Sequence, residues 1–490
     1  MSTSTDEPGA GVAAAPGTAP ARAGAVVGFL VFVELTSGFL QGYYLPLFGA
    51  LTTHFSITDA DITWFTALQS LAAGVCVPVL AKLGDIAGHR RVLVVAVLAV
   101  LAGTLVTALS SDYRLVLAGR VLVGPLAVWL PLEVALVHHR LDGVTARRAV
   151  GMLVSALTLG AVVGTLAAGA LASVLDLTAV LLVPAVLVAA CAVVVLTVVP
   201  ESTVRTHPHV DVVGFAGLAV VMVALLWGLR SAQTGGFAAA TTVVPLAAAL
   251  VVLVGWVAWE RRTEVPAVNL RLLTSRALWP VYSTSFLFGM VLFGTQTVLT
   301  TFLTAEPGRA GYGFALTPGR TALVTALSAL TAAVGASAFP ALARRVGMPG
   351  VLAAGCLAGA AGNLLLLGGN ASLPLVVVAV VVSGLGSGLL LGCLPAYAAE
   401  ASPPDQTGIA TGVYNSLKTL GGAAAGAVFG VVLAAFAVEG SRNSSLGGYE
   451  TVWAICAGAF LLCLPLLAVL RGRRAETTGT TGTTTTTTTP

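Results

Sequence analysis

Long apolar runs alternate with short polar breaks along almost the whole chain. We count fourteen apolar runs between residues 25 and 470, the first covering 25–49 and the fourth 115–138. A helix of about 20 apolar residues crosses the hydrocarbon core of a bilayer. The pattern therefore predicts an all-α integral membrane protein with fourteen transmembrane helices.

Composition supports this class. Of the 490 residues, 57% are hydrophobic and 9% are charged, whereas a soluble domain carries about 25% charged residues. The six cysteines lie in apolar runs without the spacing of metal ligands. We therefore expect no metal site, no cofactor and no nucleic-acid partner.

The apolar runs fall into groups of six, two and six. This grouping predicts a disordered tail (1–24), a six-helix bundle (25–199), a linker with two extra spans (200–278), a second six-helix bundle (279–470) and a disordered Thr-rich tail (471–490). Low apolar content is the reason for expecting disorder in the two tails.

The placement of Lys and Arg predicts the orientation. With the N-terminus inside, 17 of the 24 Lys and Arg residues lie in segments assigned to the cytoplasm, and five lie on the opposite side. Cytoplasmic loops are enriched in these residues. We therefore expect both termini in the cytoplasm.

The loop KLGDIAGHRR, between spans 2 and 3, packs charge into a tight hairpin. Gly88 permits a sharp turn, Asp85 can face the N-terminus of a neighbouring helix, and the arginines favour the cytoplasmic side. The pattern Gly84-Asp85-x-x-Gly88-x-Arg90-Arg91 resembles the loop between helices 2 and 3 of the major facilitator superfamily. The resemblance implies a cytoplasmic gate loop; the alternative is an ordinary hairpin without a gating role.

The two extra spans extend this resemblance. They open with Asp211-Val212-Val213-Gly214 and close with Trp-Glu-Arg-Arg at 259–262 and a proline at 266. Similar boundaries occur in the fourteen-helix drug:proton antiporter branch of the superfamily. The resemblance implies two six-helix halves that rock about a central substrate site.

Glu34 is the first candidate for proton coupling. It lies about ten residues into span 1, and Ser37 and Gln41 follow on the same helical face. A charged residue within a span is costly and marks a functional candidate. Glu34-Leu35-Thr36 resembles the Asp-x-Thr of the branch, whose carboxylate helps to couple protons. The alternative is a carboxyl group held by hydrogen bonds between helices.

Arg120 is the second candidate. The segment Leu117-Ala118-Gly119-Arg120-x-x-x-Gly124 resembles the fourth-helix motif of the family, whose arginine is linked to proton transfer. A guanidinium stays charged and needs a partner, and we expect Glu34 to be that partner. Snorkelling of Arg120 to the outer interface is the alternative.

Other polar side chains within spans are candidates for lining a substrate cavity, although each of them can equally serve as an interhelical hydrogen-bonding group. Helical geometry places Glu133 about 140° from Arg120, so they share a cavity only if Pro125 or Pro131 bends the helix. Lys418 fits substrate contact or structural packing. The cavity candidates are Gln41, Tyr44, Gln69, Glu133, Gln296 and Asn415.

Span 5 carries a pattern of small residues: Gly160, Gly164, Thr165 and Gly169. It resembles the antiporter motif G-x-x-x-G-P-x-x-G-G, with Thr165 in place of the proline. Small residues at this spacing allow close helix packing. Loss of the proline removes a kink and weakens the argument for antiport in particular.

These patterns favour a proton-coupled exporter of small lipophilic or cationic compounds. We expect a monomer in a bacterial cytoplasmic membrane, with a proton gradient as its energy source. An importer or uniporter of the same fold is the first alternative, and a receptor or scaffold that transports nothing is the second. The sequence contains no nucleophile–base pair and no set of metal ligands, so we do not expect an enzyme.

Overall fold

The computed structural model describes residues 19–138, 141, 143–199, 211–263, 270–275, 278–402, 407–438 and 441–479. Within these ranges the chain is helical, and its one β-contact is an isolated bridge between Ala437 and Ser444. The all-α prediction is confirmed. Most of both predicted tails and of the linker before the extra spans falls outside the described residues.

Fourteen long helices, numbered here in chain order, follow one another through the described chain. They are α1 (Ala19–Tyr43), α2 (Asp59–Ala87), α3 (His89–Leu109), α4 (Tyr113–Val123, a 3-10 segment Gly124–Val128 and Trp129–His138), α5 (Gly143–Leu171), α6 (Leu177–Thr197), α7 (Val212–Gly235), α8 (Ala240–Glu260), α9 (Trp279–Thr304), α10 (Pro318–Val346), α11 (Met348–Gly369), α12 (Leu373–Glu400), α13 (Thr407–Ala435) and α14 (Leu446–Gly479). Short helical segments occur at Leu45–Leu47, Phe48–Phe55, Leu270–Leu273 and Pro307–Ala310.

Thirteen of these helices, α2 to α14, are long and apolar enough to span a membrane, as judged over the described residues. The side chains of α1 are described only from Val27 onward. That part is shorter than the 18 residues on which the other helices are judged. The helix itself has 25 residues, which is within the usual range for a span.

The helix pairings repeat with an offset of eight helices. The helix α1 packs on α5 as α9 packs on α13, and α3 packs on α6 as α11 packs on α14. The pairs α2–α4 and α10–α12 follow the same rule. Each set has its own apolar core. The first half (α1–α6) and the second half (α9–α14) therefore share one packing plan, as in transporters built from parallel repeats.

The two extra helices form a hairpin, here called the insert. Its helices α7 and α8 pack on each other, and α7 also contacts α2 and α13. A small apolar cluster joins these three helices, with Leu226 of α7 between Trp64 of α2 and Ala423 of α13. The insert therefore packs against a helix of each half.

Several helix ends differ from the predicted spans by a few residues, and the first, fourth and last spans show why. The first helix ends at Tyr43 instead of 49, because a 3-10 turn with Pro46 in it follows at Leu45–Leu47. The fourth span changes to 3-10 geometry at Pro125. The last helix runs to Gly479, past the predicted end at 470, since the Arg-, Ala- and Glu-containing segment that follows favours helix.

The two halves meet at the end of the bundle where α2 begins and α13 ends. We call it the outer end, since the charge pattern of the sequence predicts that it lies on the non-cytoplasmic side. Gly426 of α13 lies directly against Ala67 of α2, and Gly169 of α5 lies against Ala322 of α10. Absence of side chains lets these backbones approach closely.

At the opposite, inner end, Gly151 of α5 and Gly412 of α13 are exposed. A β-carbon added at either position would meet no described atom beyond its own stretch of helix within 4 Å. Contact between the halves is therefore established here for the outer end.

Candidate functional site

The hairpin between α2 and α3 turns at Gly88, whose φ of 108° lies in the region that favours glycine. Arg90 links this hairpin to α6 of the same half by hydrogen bonds. Its Nε donates to Val195 O at 3.3 Å and its Nη2 donates to Leu196 O at 2.5 Å, both in the last turn of α6. The side chain of Asp85, for which the sequence predicts a gating role, lies outside the described part of the chain. Arg91 is exposed.

Glu34 and Glu133 form a buried carboxyl pair between α1 and α4. Their exposed fractions are 1% and 0%, and they lie close enough to interact electrostatically. Within the described part of the chain, neither Oε2 of Glu34 nor either side-chain oxygen of Glu133 has a hydrogen-bond partner. Cys191 of α6 lies beside the pair. The interior of the first half thus contains two carboxyl groups without a neighbouring cation among the described residues.

Arg120 lies in a different pocket. Its Nη2 donates to Gln69 Oε1 of α2, and the centre of its guanidinium is 4.6 Å from the Tyr44 ring centroid and 4.0 Å from that of Phe65. These are cation–π distances. Its exposed fraction is 3%. Among the described residues, Nε and Nη1 have no partner in hydrogen-bonding geometry, although the Tyr44 side chain lies close enough to interact with the guanidinium.

The expected partnership between Glu34 and Arg120 was wrong. The helix α4 changes to 3-10 geometry between Gly124 and Val128, so Arg120 and Glu133 sit in separate helical segments. The outer segment turns Arg120 towards α2, whereas the inner segment turns Glu133 towards Glu34 of α1. Glu133 therefore belongs with Glu34 and not with the group around Arg120.

The structure brings only some of the cavity candidates together. Tyr44, which directly follows α1, and Gln69 of α2 both contact Arg120. Gln41 is exposed near the outer end of α1 and donates to Ser37 Oγ at 3.4 Å. Gln296 and Asn415 are half-buried in the second half, on α9 and α13.

Lys418 is the candidate cation of the second half. Its Nζ lies 5.4 Å from the Tyr414 ring centroid. Its backbone carbonyl lies against Gly289 of α9, so α9 and α13 are packed closely at this depth. The position fits packing and substrate contact alike, as the sequence already indicated.

The small residues of α5 bind this helix to α1. Gly160 lies directly against the backbone of Leu35, and Gly164 lies against that of Phe39. Thr165 Oγ1 donates to Gly42 O at 3.1 Å and also to the carbonyl one turn earlier in α5, at 2.9 Å. The hydroxyl that stands where the family has a proline is therefore a cross-link to α1.

Sequence reasoning missed a set of contacts at the outer end of α2. Asp61 Oδ1 pairs with Arg230 Nη1 of the insert at 2.7 Å, and the guanidinium centre of Arg230 is 5.6 Å from the Trp64 ring centroid. The signal in the sequence was the pair of acids at positions 59 and 61, which also reads as an ordinary helix start.

A groove of about 750 Å³ lies on the insert, between α7 and α8. Its walls are apolar and include Val223, Trp227, Val244 and Pro245. Val223, Trp227 and Val244 are all more than half exposed. In a membrane, an apolar surface of this kind faces lipid.

Comparison with known proteins places the chain among membrane transporters. The family model described as the Major Facilitator Superfamily matches residues 30–426. The probable actinorhodin transporter of Streptomyces coelicolor is 30% identical over 407 residues, which cover 78% of this chain and 67% of that protein. The multidrug efflux pump LfrA of Mycolicibacterium smegmatis is 24% identical over 421 residues, covering 84% and 80%. The nucleoside transporter NupG superposes with a TM-score of 0.64 at 15% identity, over 91% of this chain and 98% of that one, a likeness of fold alone.

Proposed function

The chain belongs to the major facilitator superfamily and is a multi-pass transporter of the plasma membrane, and from that premise we propose that it exports small amphipathic compounds in exchange for protons. Export proceeds by alternating access between the two halves. The carboxyl pair Glu34–Glu133 is the observation that carries the proposal.

The carboxyl pair supports proton coupling on physical grounds. Two carboxylates buried together repel each other, and each loses the hydration that it has in water. A pair of this kind titrates as a unit and favours a state that holds at least one proton. Glu34 and Glu133 are both buried, with oxygens that lack partners. They therefore suit the uptake of a proton on one side of the membrane and its release on the other.

Arg120 supports the same cycle from its separate pocket. Among the described residues, two of its side-chain nitrogens lack a partner in hydrogen-bonding geometry, and unmet donors are costly in a buried site. We propose that they are met in another state of the cycle, when the halves have moved. Arg120 thereby tunes the cycle and Glu34 carries the proton.

The substrate class follows from the same groups and from the relatives. The candidate contacts for the substrate are aromatic rings, hydroxyls and amides. They include the side chains of Tyr44, Gln69 and Asn415. Such a mixture suits a lipophilic compound with few polar groups. The relatives include one named as an actinorhodin transporter and one named as a multidrug efflux pump, which supports antibiotic-like substrates.

Proton flux in inverted membrane vesicles tests the proposal. The vesicles are energised to an acidic interior, a pH-sensitive dye reports that interior, and lipophilic cations and neutral antibiotics are added. We expect compound-triggered proton release from the wild type and none from Glu34→Gln. Glu306→Gln is the matched control, because Glu306 is an exposed acid paired only with the neighbouring Arg309, at 3.3 Å. Release that persists in Glu34→Gln removes the assignment of the proton to Glu34.

Glu133→Gln separates the two carboxyl groups in the same assay. Because the pair titrates as a unit, we expect its proton release to be strongly reduced as well. Loss in Glu133→Gln alone moves the coupling site to Glu133. Full release in both single variants contradicts coupling through the pair.

An importer or uniporter of the same fold is the second candidate function, and Thr165 is the observation that favours it. The family's antiporter motif has a proline there, whereas Thr165 links α5 to α1 by a hydrogen bond. Uptake of a substrate down its own gradient, unaffected by a protonophore, is the result expected from a uniporter. Export that collapses with the protonophore contradicts it.

A further inference from the structure

We propose that Asp59 is a gate residue of the transport cycle, which holds the outer end of the first half against the second half and must let go before that end opens. The proposal rests on alternating access, as proposed above, but not on proton coupling or on the identity of the substrate. It adds a positioning residue on α2 to the groups already described.

Asp59 is the first residue of α2, and it reaches into the second half. Its Oδ2 accepts hydrogen bonds from Tyr449 Oη at 2.7 Å, from the Ser444 backbone N–H at 3.1 Å and from Asn443 Nδ2 at 3.3 Å. Its own backbone N–H donates to Arg442 O at 3.1 Å. The exposed fraction of Asp59 is 3%. One residue of the first half thus makes four hydrogen bonds to the second.

The pocket that receives Asp59 is itself well fixed. The ring of Tyr449 packs against Phe302 and Tyr312, with centroids 5.6 Å and 5.2 Å away. Tyr312 Oη donates to Ser444 O at 2.5 Å, and Ser444 Oγ donates to Leu433 O at 2.9 Å. The donors are therefore held in position by the second half, whether or not Asp59 is present.

Asp59 is not needed to start its own helix. Thr58 is the N-cap of α2, and its Oγ1 accepts from the Asp61 N–H at 3.1 Å. Asp61 Oδ2 in turn accepts from the Thr58 N–H at 3.2 Å. This reciprocal box satisfies the helix start. The carboxylate of Asp59 is thus directed to the other half without any local role in capping.

Contacts between the halves continue beneath Asp59. Thr63 Oγ1 donates to Gly426 O of α13 at 2.7 Å, and the hydroxyls of Thr66 and Thr297 are 3.3 Å apart, between α2 and α9. Any rocking that opens the outer end must draw the first turns of α2 away from these partners. Asp59 is the outermost of the polar contacts along this face, and so it is the first to separate.

The physical chemistry suits a contact that is firm but reversible. Hydrogen bonds to a charged acceptor are stronger than those between neutral groups. When the outer end opens, water replaces the donors, and the carboxylate regains its hydration at the membrane surface. The closed arrangement is therefore favoured without making the open one inaccessible.

Cysteine accessibility tests the proposal in the full-length protein. Thr66→Cys is the reporter, since Thr66 lies two turns beneath Asp59, and Cys76→Ser removes the half-buried natural cysteine. A membrane-impermeant maleimide is added from the outer side, and mass spectrometry locates the label. With Asp59→Asn added, we expect the reporter to be labelled about tenfold faster, because a neutral amide replaces the carboxylate that accepts three hydrogen bonds.

The five remaining cysteines are buried and distinguish opening from general loosening. They stay unlabelled if Asp59 only holds the gate. Labelling of these cysteines together with the reporter overturns the proposal in favour of a structural role, and an unchanged reporter rate overturns it outright. The assay needs neither a substrate nor a proton gradient, so its failure is separate from failure of proton coupling.

Two further variants complete the experiment. Tyr449→Phe removes one donor and keeps the ring packing, so we expect about threefold faster labelling; it decides the matter if Asp59→Asn is not recovered from membranes. Asp176→Asn is the matched control. Asp176 is the N-cap of α6 at the same end, and its side chain accepts from the Ala179 N–H of its own helix at 3.2 Å, so we expect no change.

Discussion

Glycine-to-alanine changes on α5 should act with opposite sign at two positions of the same helix. Gly160 lies directly against the backbone of Leu35 in α1, whereas a β-carbon added at Gly151, nine residues earlier, would meet no described atom beyond its own stretch of helix within 4 Å. Both changes add one methyl group to a helix interior. Only Gly160→Ala forces two backbones apart.

The magnitudes follow from the two environments. Replacing glycine with alanine inside a helix gains about 1 kcal/mol of intrinsic helix stability, and both variants share this gain. Overpacking a tight interface costs about 1–3 kcal/mol. Because the propensity gain cancels in the comparison, Gly160→Ala should be less stable than Gly151→Ala by about 1–3 kcal/mol. The contact that Gly160 makes is with backbone, which cannot rotate away, so we expect the upper part of that range.

Unfolding of the purified protein in detergent, followed by circular dichroism across a denaturant series, measures this difference. Gly38→Ala on α1 serves as the reciprocal variant, since Gly38 lies against Leu157 of α5, and it should resemble Gly160→Ala. Equal stability of Gly160→Ala and Gly151→Ala would refute the close α1–α5 contact. In that case the position of Glu34, which α1 carries beside this contact, would need revision as well.

Three further results are expected. Arg120→Lys should impair compound-driven proton flux although the charge is kept, because an ammonium lacks the planar group that faces Tyr44 and Phe65; wild-type flux in vesicles contradicts this. Thr165→Val should lower the free energy of unfolding by about 1 kcal/mol through loss of the hydrogen bond to Gly42, measured by the same denaturation. Arg230→Gln should change stability by about 1 kcal/mol or less, because its pair with Asp61 is 41% and 25% exposed; a larger loss in the denaturation midpoint indicates that the insert is held mainly by this pair.

The sequence predicts the helices well because bilayer thickness fixes their length and composition. Apolar runs long enough to span a membrane are visible without knowledge of any contact. The errors at the boundaries have local causes. Pro46 ends the first helix early and Pro125 changes the geometry of the fourth, and only the first of these changes where a helix stops.

The candidate site is harder to predict because it depends on how helices are rotated against one another. Sequence singles out Glu34, Arg120 and Glu133 as costly charges within spans. It pairs Arg120 with Glu34, whereas the structure pairs Glu34 with Glu133. The rotational offset across the 3-10 segment of α4 decides this, and periodicity along one helix carries no information about the helix it faces.

Asp59 was missed for a different reason. Acidic residues are common in the first turn of a helix, where they favour the helix dipole, and the sequence offers no sign that Asp59 points elsewhere. Its partners lie almost 400 positions later, in the loop before α14 and in Tyr449. A contact of that sequence separation follows from the packing of the two halves, which the sequence of a single chain does not display.

At almost every turn of α2, a polar side chain binds a different part of the protein. Asp59 and Thr63 bind the second half, Asp61 binds the insert, and Gln69 accepts from Arg120 of the first half. A rigid helix cannot leave one of these partners without shifting against the others. Opening of the outer end must therefore change the surroundings of Arg120, because Gln69 of α2 accepts a hydrogen bond from its guanidinium. Through α2, the gate at the outer end and the buried guanidinium are parts of one moving element.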